Sequence, residues 1–234
     1  MRRTHHAFAA ALGALITLPV LVGAAGAVCP EELSVFYGDK AYEHFGSSIA
    51  AVSDLDGDAA TDLLVGGSNR YDAPGLARVF SGATGEVIYR FVDAYPSNGF
   101  GSPVNNAGDV DADGITDLIV AARQVQNIYN PGTGFVRVFS GADGALLYTW
   151  GGIQIGEAFG TAVASAGDMD QDGFADVAVG APYYSRSEES LVGYVRVFSG
   201  RTGEIIHHIE GGFAFDNLGA AVDGVDDIDG DGVS

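Results

Sequence analysis

The sequence predicts an all-β chain, a β-propeller of four-stranded blades that is incomplete, with about three blades and the start of a fourth. Three observations predict it. A block of nearly constant length recurs along the chain. Each full block holds four short strand signals with a turn signal at every joint. No stretch beyond Ala27 sustains a helical period.

Phe45-Gly46, Phe100-Gly101, Phe159-Gly160 and Leu218-Gly219 open four copies at almost even intervals. The copies span 45–99, 100–158, 159–217 and a short 218–234, preceded by a segment over 28–44. Nine residues after each opening pair stands an aspartate: Asp54, Asp109, Asp168 and Asp227. Later in each full copy comes Arg-Val-Phe-Ser-Gly, ending at Gly82, Gly141 and Gly200.

In the first copy, strands are expected over 46–53, 62–66, 77–81 and 86–91, with a variable loop over 67–75 and a tight turn at Gly82-Ala83-Thr84-Gly85. A β-sandwich would not repeat its sequence so closely, and a solenoid has shorter repeats, so the propeller is the favoured architecture. The first strand of the second copy is expected to be short or to border the central channel. Pro103 lacks an N–H for a ladder, and Asn105-Asn106 has low strand propensity.

The joints between first and second strands carry the chemistry. They read Asp54-Leu-Asp56-Gly-Asp58-Ala-Ala60-Thr-Asp62, Asp109-Val-Asp111-Ala-Asp113-Gly-Ile115-Thr-Asp117 and Asp168-Met-Asp170-Gln-Asp172-Gly-Phe174-Ala-Asp176. Alternating carboxylates at positions 1, 3 and 5 converge on one centre, and position 9 closes the ring, which suits a hard cation. Ala60, Ile115 and Phe174 at position 7 have no side-chain oxygen, so their backbone carbonyls are the expected ligands there. Without a cation, four carboxylates in so short a loop repel one another. Ca2+ is expected rather than Mg2+ because the ligands are many and all from protein, and Zn2+ is disfavoured because no His or Cys lies in the loops. Gly114 and Gly173 at position 6 suit a left-handed turn. Ala59 replaces glycine there, at about 1 kcal/mol if φ is positive, which makes the first site the weakest expected. An EF-hand is excluded because position 12 holds Val65, Val120 and Val179 inside predicted strands, where a bidentate Glu and a helix would be required.

These features resemble the FG-GAP repeats of the integrin alpha-chain β-propeller. The third copy carries both parts of the motif, Phe159-Gly160 and Gly180-Ala181-Pro182. The first has Gly66-Gly67-Ser68 in the second place and the second has Ala121-Ala122-Arg123. The resemblance covers residues 45 to 234 and implies calcium ligation by the aspartates named above. In the fourth copy Asp227, Asp229 and Asp231 supply positions 1, 3 and 5, and position 9 would fall just past Ser234. Three complete calcium loops and a truncated fourth are therefore expected. So is a fragment or truncated product, since three blades do not close a ring.

The segment 1–27 reads as a signal peptide: Arg2-Arg3, an apolar run over 7–22, then small residues at Ala25 and Ala27. A membrane anchor is the alternative, but the run is short for a span. Cys29 is the only cysteine, so no internal disulfide forms, and Val28 before it fits a lipoprotein signal poorly. The formal charge of −20 argues against nucleic acid and against a polybasic membrane face, and no membrane insertion is expected after signal cleavage.

A secreted or cell-surface binding or adhesion module is the leading expectation, with a protein or glycan ligand on the face opposite the calcium loops. That face carries the variable loops over 67–75, 92–98, 124–133, 151–158, 183–192 and 211–217. They hold Tyr71, Tyr95, Tyr129, Tyr183, Tyr184, Phe213 and Phe215, as partner contacts or as cover for blade edges. The alternatives are the propeller portion of a larger secreted enzyme and a structural spacer. No Gly-x-Ser-x-Gly elbow is present, and His44, His207 and His208 stand apart from any repeated serine, so no catalytic residue is expected in these repeats.

Overall fold

The computed structural model describes residues 35–40, 43–68, 74–96, 99–123, 132–187 and 190–225. The leader, Cys29, Tyr71, Tyr129 and the Asp227, Asp229 and Asp231 loop lie outside these residues, as does the side chain of Tyr95. Among the described residues there is no helix, and so none long and apolar enough to cross a membrane.

Among the described residues twelve strands form three sheets. The first is β1 (Phe45–Val52), β2 (Asp62–Gly67), β3 (Pro74–Phe80) and β4 (Val87–Pro96). The second is β5 (Phe100–Gly108), β6 (Asp117–Ala122), β7 (Phe135–Phe139) and β8 (Leu146–Gly151). The third is β9 (Ala162–Gly167), β10 (Asp176–Ala181), β11 (Tyr194–Phe198) and β12 (Ile205–Glu210). Each sheet is antiparallel with its strands in sequence order, the topology of a propeller blade. The propeller is incomplete, and three of its blades lie among the described residues.

Each blade's second strand is apolar on both faces, because a blade is covered by a neighbour on each side. Leu118, Ile119, Val120 and Ala121 of β6 are all fully buried. Phe91 of β4 stacks on Phe139 of β7 with centroids 4.2 Å apart, and Trp150 of β8 stacks on Phe198 of β11 at 4.4 Å. The outer strand of one blade thus packs its aromatic ring on the third strand of the next.

Backbone approaches backbone at the same seams. A Cβ on Gly75, at the start of the third strand, would lie 1.9 Å from the carbonyl oxygen of Phe100 in the next copy. At Gly134 the corresponding distance is 2.1 Å to Phe159 O, and at Gly193 it is 2.3 Å to Leu218 O. Only a residue without a side chain admits that contact. Leu218 also bridges Gly193 in parallel, so the opening pair of the fourth copy is seated on the third blade.

Two expectations are corrected. Of the two alternatives for β5, short or bordering the central channel, the short one is overturned: it spans nine residues, with register shifts near Phe100/Ser102 and Asn106/Gly108. Pro103 lies between the two shifts, in the stretch that pairs in regular register from Ser102↔Ala122 to Asn106↔Leu118. The Asn105 carboxamide donates to Val163 O on β9 at 2.9 Å, and Val104 N donates to Ser48 Oγ on β1 at 2.9 Å. Asn105 of β5 and Ser48 of β1 thus join the first strands of the three blades side by side. The stretch expected as a loop over 92–98 is strand as far as Pro96, since β4 continues to pair with β3 at Pro74.

Candidate metal centre

The three acidic loops join the first and second strands of each blade and sit at one end of it. Their shape is set by backbone amides donating to position-1 carboxylates. Asp54 accepts from Asp58 N and Ala59 N at 3.1 and 2.7 Å, Asp109 from Asp113 N and Gly114 N at 3.0 and 2.9 Å, and Asp168 from Asp172 N and Gly173 N, both at 2.9 Å. These bonds wrap the chain around the carboxylate, an Asx-type turn. Position 6 has positive φ in every loop: 70° at Ala59, 89° at Gly114 and 90° at Gly173.

Position 4 also has positive φ, with 81° at Gly57 and 60° at both Ala112 and Gln171. Each loop therefore holds one glycine and one side-chain-bearing residue in the left-handed region. Ala59 is no extra burden on the first loop, and the ranking of that site as weakest loses its basis.

Position 9 plays a second part that residue type alone does not reveal. Asp62, Asp117 and Asp176 are at most 1% exposed. Asp117 accepts Val110 N at 2.7 Å and Gly141 N at 2.9 Å, and Asp176 accepts Met169 N at 2.8 Å and Gly200 N at 3.0 Å. Asp62 does the same with Leu55 N and Gly82 N, at 2.7 and 2.9 Å. Each of these carboxylates ties its acidic loop to the Ser-Gly turn between the third and fourth strands. The acidic loops and these turns therefore lie side by side at one end of each blade. In the first blade Ser81 Oγ also donates to Asp58 Oδ2 at 2.9 Å. The repeated Ser-Gly, in register with the loops, was the signal for this contact.

The structure brings together carboxylate oxygens of Asp54, Asp56 and Asp58; of Asp109, Asp111 and Asp117; and of Asp168, Asp170 and Asp176, each set within 4.8 Å of one another. Asp62, Asp113 and Asp172 stand outside these sets. Among the described residues, no ion pair joins a Lys, Arg or His to any loop aspartate. The donor set is all oxygen, clustered and not paired with a cationic side chain among the described residues, which fits a hard divalent cation. Burial pushes the Asp117 carboxyl up to about 6 and moves that of Asp176 up as well. Burial, then the Asp113 charge, raises Asp111, while the Ala59 amide leads in holding Asp54 below the ordinary value.

At the opposite end lie the loops that join second to third and fourth to first strands. They contact one another: Ser185 N donates to Gln154 Oε1 at 2.9 Å and Tyr183 N to Glu157 O at 3.1 Å. Ile153, Ile155, Tyr183, Phe213 and Phe215 are exposed there, Phe213 to 80%. Tyr184 is not an exposed tip. It packs on the core, T-shaped against Tyr194 at 5.1 Å.

Residues 159–198 match the FG-GAP repeat family. The chain is 31% identical over 171 residues to integrin alpha-5 of Xenopus laevis, covering 69% of this chain and 16% of that protein. It is 29% identical over 164 residues to integrin alpha-V of Gallus gallus, covering 68% of this chain and 15% of that protein. The chain thus spans under a fifth of these relatives' length. The solved structure of rhamnogalacturonan lyase YesW aligns over 79% of this chain and 39% of its own, at 16% identity and a TM-score of 0.47. With its repeats, its acidic loops and these relatives, the chain is an FG-GAP repeat protein that resembles the integrin alpha chains.

Proposed function

We propose that this chain is an exported calcium-binding scaffold, and that it serves as a cell-surface or extracellular binding or adhesion module. The observation that carries the reading is the threefold recurrence of an oxygen-only carboxylate cluster whose aspartates, among the described residues, form no ion pair with Lys, Arg or His. The proposed ligands are the aspartates at positions 1, 3, 5 and 9 with the carbonyls of Ala60, Ile115 and Phe174, and Asp227, Asp229 and Asp231 in the fourth copy. A bound cation supplies charge neutralisation, so its role is to staple each blade's loop. A ligand that binds only the folded chain stabilises it by about 2.7 kcal/mol per site at a hundredfold excess over Kd.

The partner, a protein or glycan, is placed on the opposite face, supported by the exposed Tyr183, Phe213 and Phe215 on loops held by a rigid scaffold. The similarity to integrin alpha chains supports a protein ligand and an extracellular location. One experiment tests both halves. The chain and a Tyr183→Ala/Phe213→Ala/Phe215→Ala variant are melted with EDTA, calcium or magnesium, then applied to an array of extracellular proteins and glycans. Calcium should raise Tm more than magnesium in both, and the variant should lose array binding at unchanged Tm. A melting curve indifferent to calcium refutes the metal role, and array binding that survives in the variant refutes the assigned face.

A further inference from the structure

The position-7 peptide of the third acidic loop is held from outside its own blade. Phe174 supplies the carbonyl of that peptide group and Ala175 its N–H. Ala175 N donates to the backbone carbonyl of Asp109 at 2.8 Å. Asp109 is the position-1 aspartate of the second loop, and its carboxylate accepts Asp113 N and Gly114 N. A peptide group is planar and trans, so its N–H and C=O point in opposite directions. The bond to Asp109 therefore sets the direction of the Phe174 carbonyl. The Phe174 ring is held too, under the Arg201 guanidinium at 5.7 Å.

The residues at this seam are small enough to allow the contact. Gly108, which precedes Asp109, has a φ of 75°. A Cβ there would lie 2.6 Å from Ala175 Cβ and 2.7 Å from Ser165 Oγ, both in the third blade. The first copy has Ser53 at the place of Gly108, and the second loop has Thr116 at the place of Ala175. Among the described residues, no backbone hydrogen bond joins the first loop to the second.

Two further observations tie the second and third loops together. A Cβ on Gly200 would lie 3.1 Å from Val110 O. Gly200 N is a donor to Asp176 and Val110 N a donor to Asp117, so the residues that bind the two position-9 carboxylates meet across the seam. Tyr148 feels the charge of both loops: burial, then Asp111 and Asp172, raises its hydroxyl above the ordinary value.

We propose that the second acidic loop positions the third: through its backbone carbonyl, Asp109 holds the Phe174–Ala175 peptide in place for its carbonyl to serve as a cation ligand. This rests on the calcium reading above. Asp109 is then a ligand in its own loop and a positioning residue for the next. Whatever orders Asp109 also orders position 7 of the third loop, so a cation in either loop lowers the ordering cost of filling the other. Filling of these two loops is mutually favourable, and the first loop fills independently of them.

Heteronuclear NMR during a calcium titration tests this, because the amides of Ala59, Gly114 and Gly173 each bond the position-1 carboxylate of one loop and report the three loops separately. The titration is run on the chain, on Asp111→Asn and on Asp170→Asn, in about 1 M NaCl, where screening beyond about 3 Å suppresses the direct effect of the lost charge. Asp111→Asn should raise the half-saturating calcium at Gly173 by about fivefold or more and leave that at Ala59 unchanged. Asp170→Asn should raise the value at Gly114 by the same factor, since coupling between two sites is reciprocal. Amide exchange at Ala175 should slow when calcium fills the second loop. An unchanged value at Gly173 in Asp111→Asn, or an equal rise at Ala59, overturns the proposal while leaving the calcium reading intact. Amides that ignore calcium in all three loops overturn that reading, and the proposal with it.

Discussion

Replacing Asp176 by alanine separates the two jobs of the acidic loops. The carboxylate is fully buried and accepts two amides, Met169 N at 2.8 Å and Gly200 N at 3.0 Å. Its removal strands both donors, and each unsatisfied buried group costs about 1–3 kcal/mol. Part of that loss is offset, because the ionised carboxylate is itself held in a desolvated site, as its raised pKa shows. A net destabilisation of about 2 kcal/mol follows, and in a chain of this size each 1 kcal/mol moves Tm by about 2–4 °C. Calorimetry in EDTA should therefore show Asp176→Ala melting about 4–8 °C below the parent. Asp170 belongs to the same oxygen cluster but is exposed. Asp170→Ala should leave the EDTA melt within about 1 °C and instead reduce the rise that calcium gives. If the two variants melt together in EDTA, the division between a hydrogen-bonding position 9 and a cation-holding position 3 is wrong.

Two further outcomes are expected. Trp150→Ala should cost about 3–5 kcal/mol in denaturant unfolding because the ring is buried against Phe198, while Ile209→Ala at the same register position should cost under about 1 kcal/mol. Glu157 is fully buried with Oε2 unpartnered, and burial raises its carboxyl above the ordinary range despite bonds from Ile153 N and the Tyr194 hydroxyl. An acid whose folded pKa is raised takes up its proton more readily in the folded state, so its contribution to stability grows as pH falls towards the ordinary carboxylate value. The Tm of the parent relative to Glu157→Gln should rise on going from about pH 8 to about pH 5, and a constant difference would contradict the assignment.

Much of this architecture was legible in the residues. Strand signals and turn chemistry repeat in register, so each blade could be drawn from any other, and three observed sheets in sequence order follow that drawing. The acidic loops were legible because carboxylate spacing is itself the chemistry. What escaped was set by neighbours. The length of β5 was underestimated because Asn105 and Pro103 are poor strand residues singly, yet the asparagine bonds to another blade and the proline is carried within a nine-residue strand. Tyr183 and Tyr184 are adjacent and chemically identical, and only the fold turns one outwards and the other onto Tyr194. The left-handed turn at position 4 is shared by Gly57, Ala112 and Gln171, which have no side-chain property in common.

The glycines at Gly75, Gly134 and Gly193, each met by the carbonyl of the next copy's opening residue, make every seam a contact of main chain with main chain. Such a seam does not depend on which side chains a unit has accumulated. A whole unit gained or lost by unequal recombination between copies would meet the same joint on either side and fit at once. A single methyl group at Gly134 would instead wedge one seam and tilt every blade beyond it. Growth by entire units is thus open to this architecture along its length, while the smallest of all substitutions is closed to it at each joint.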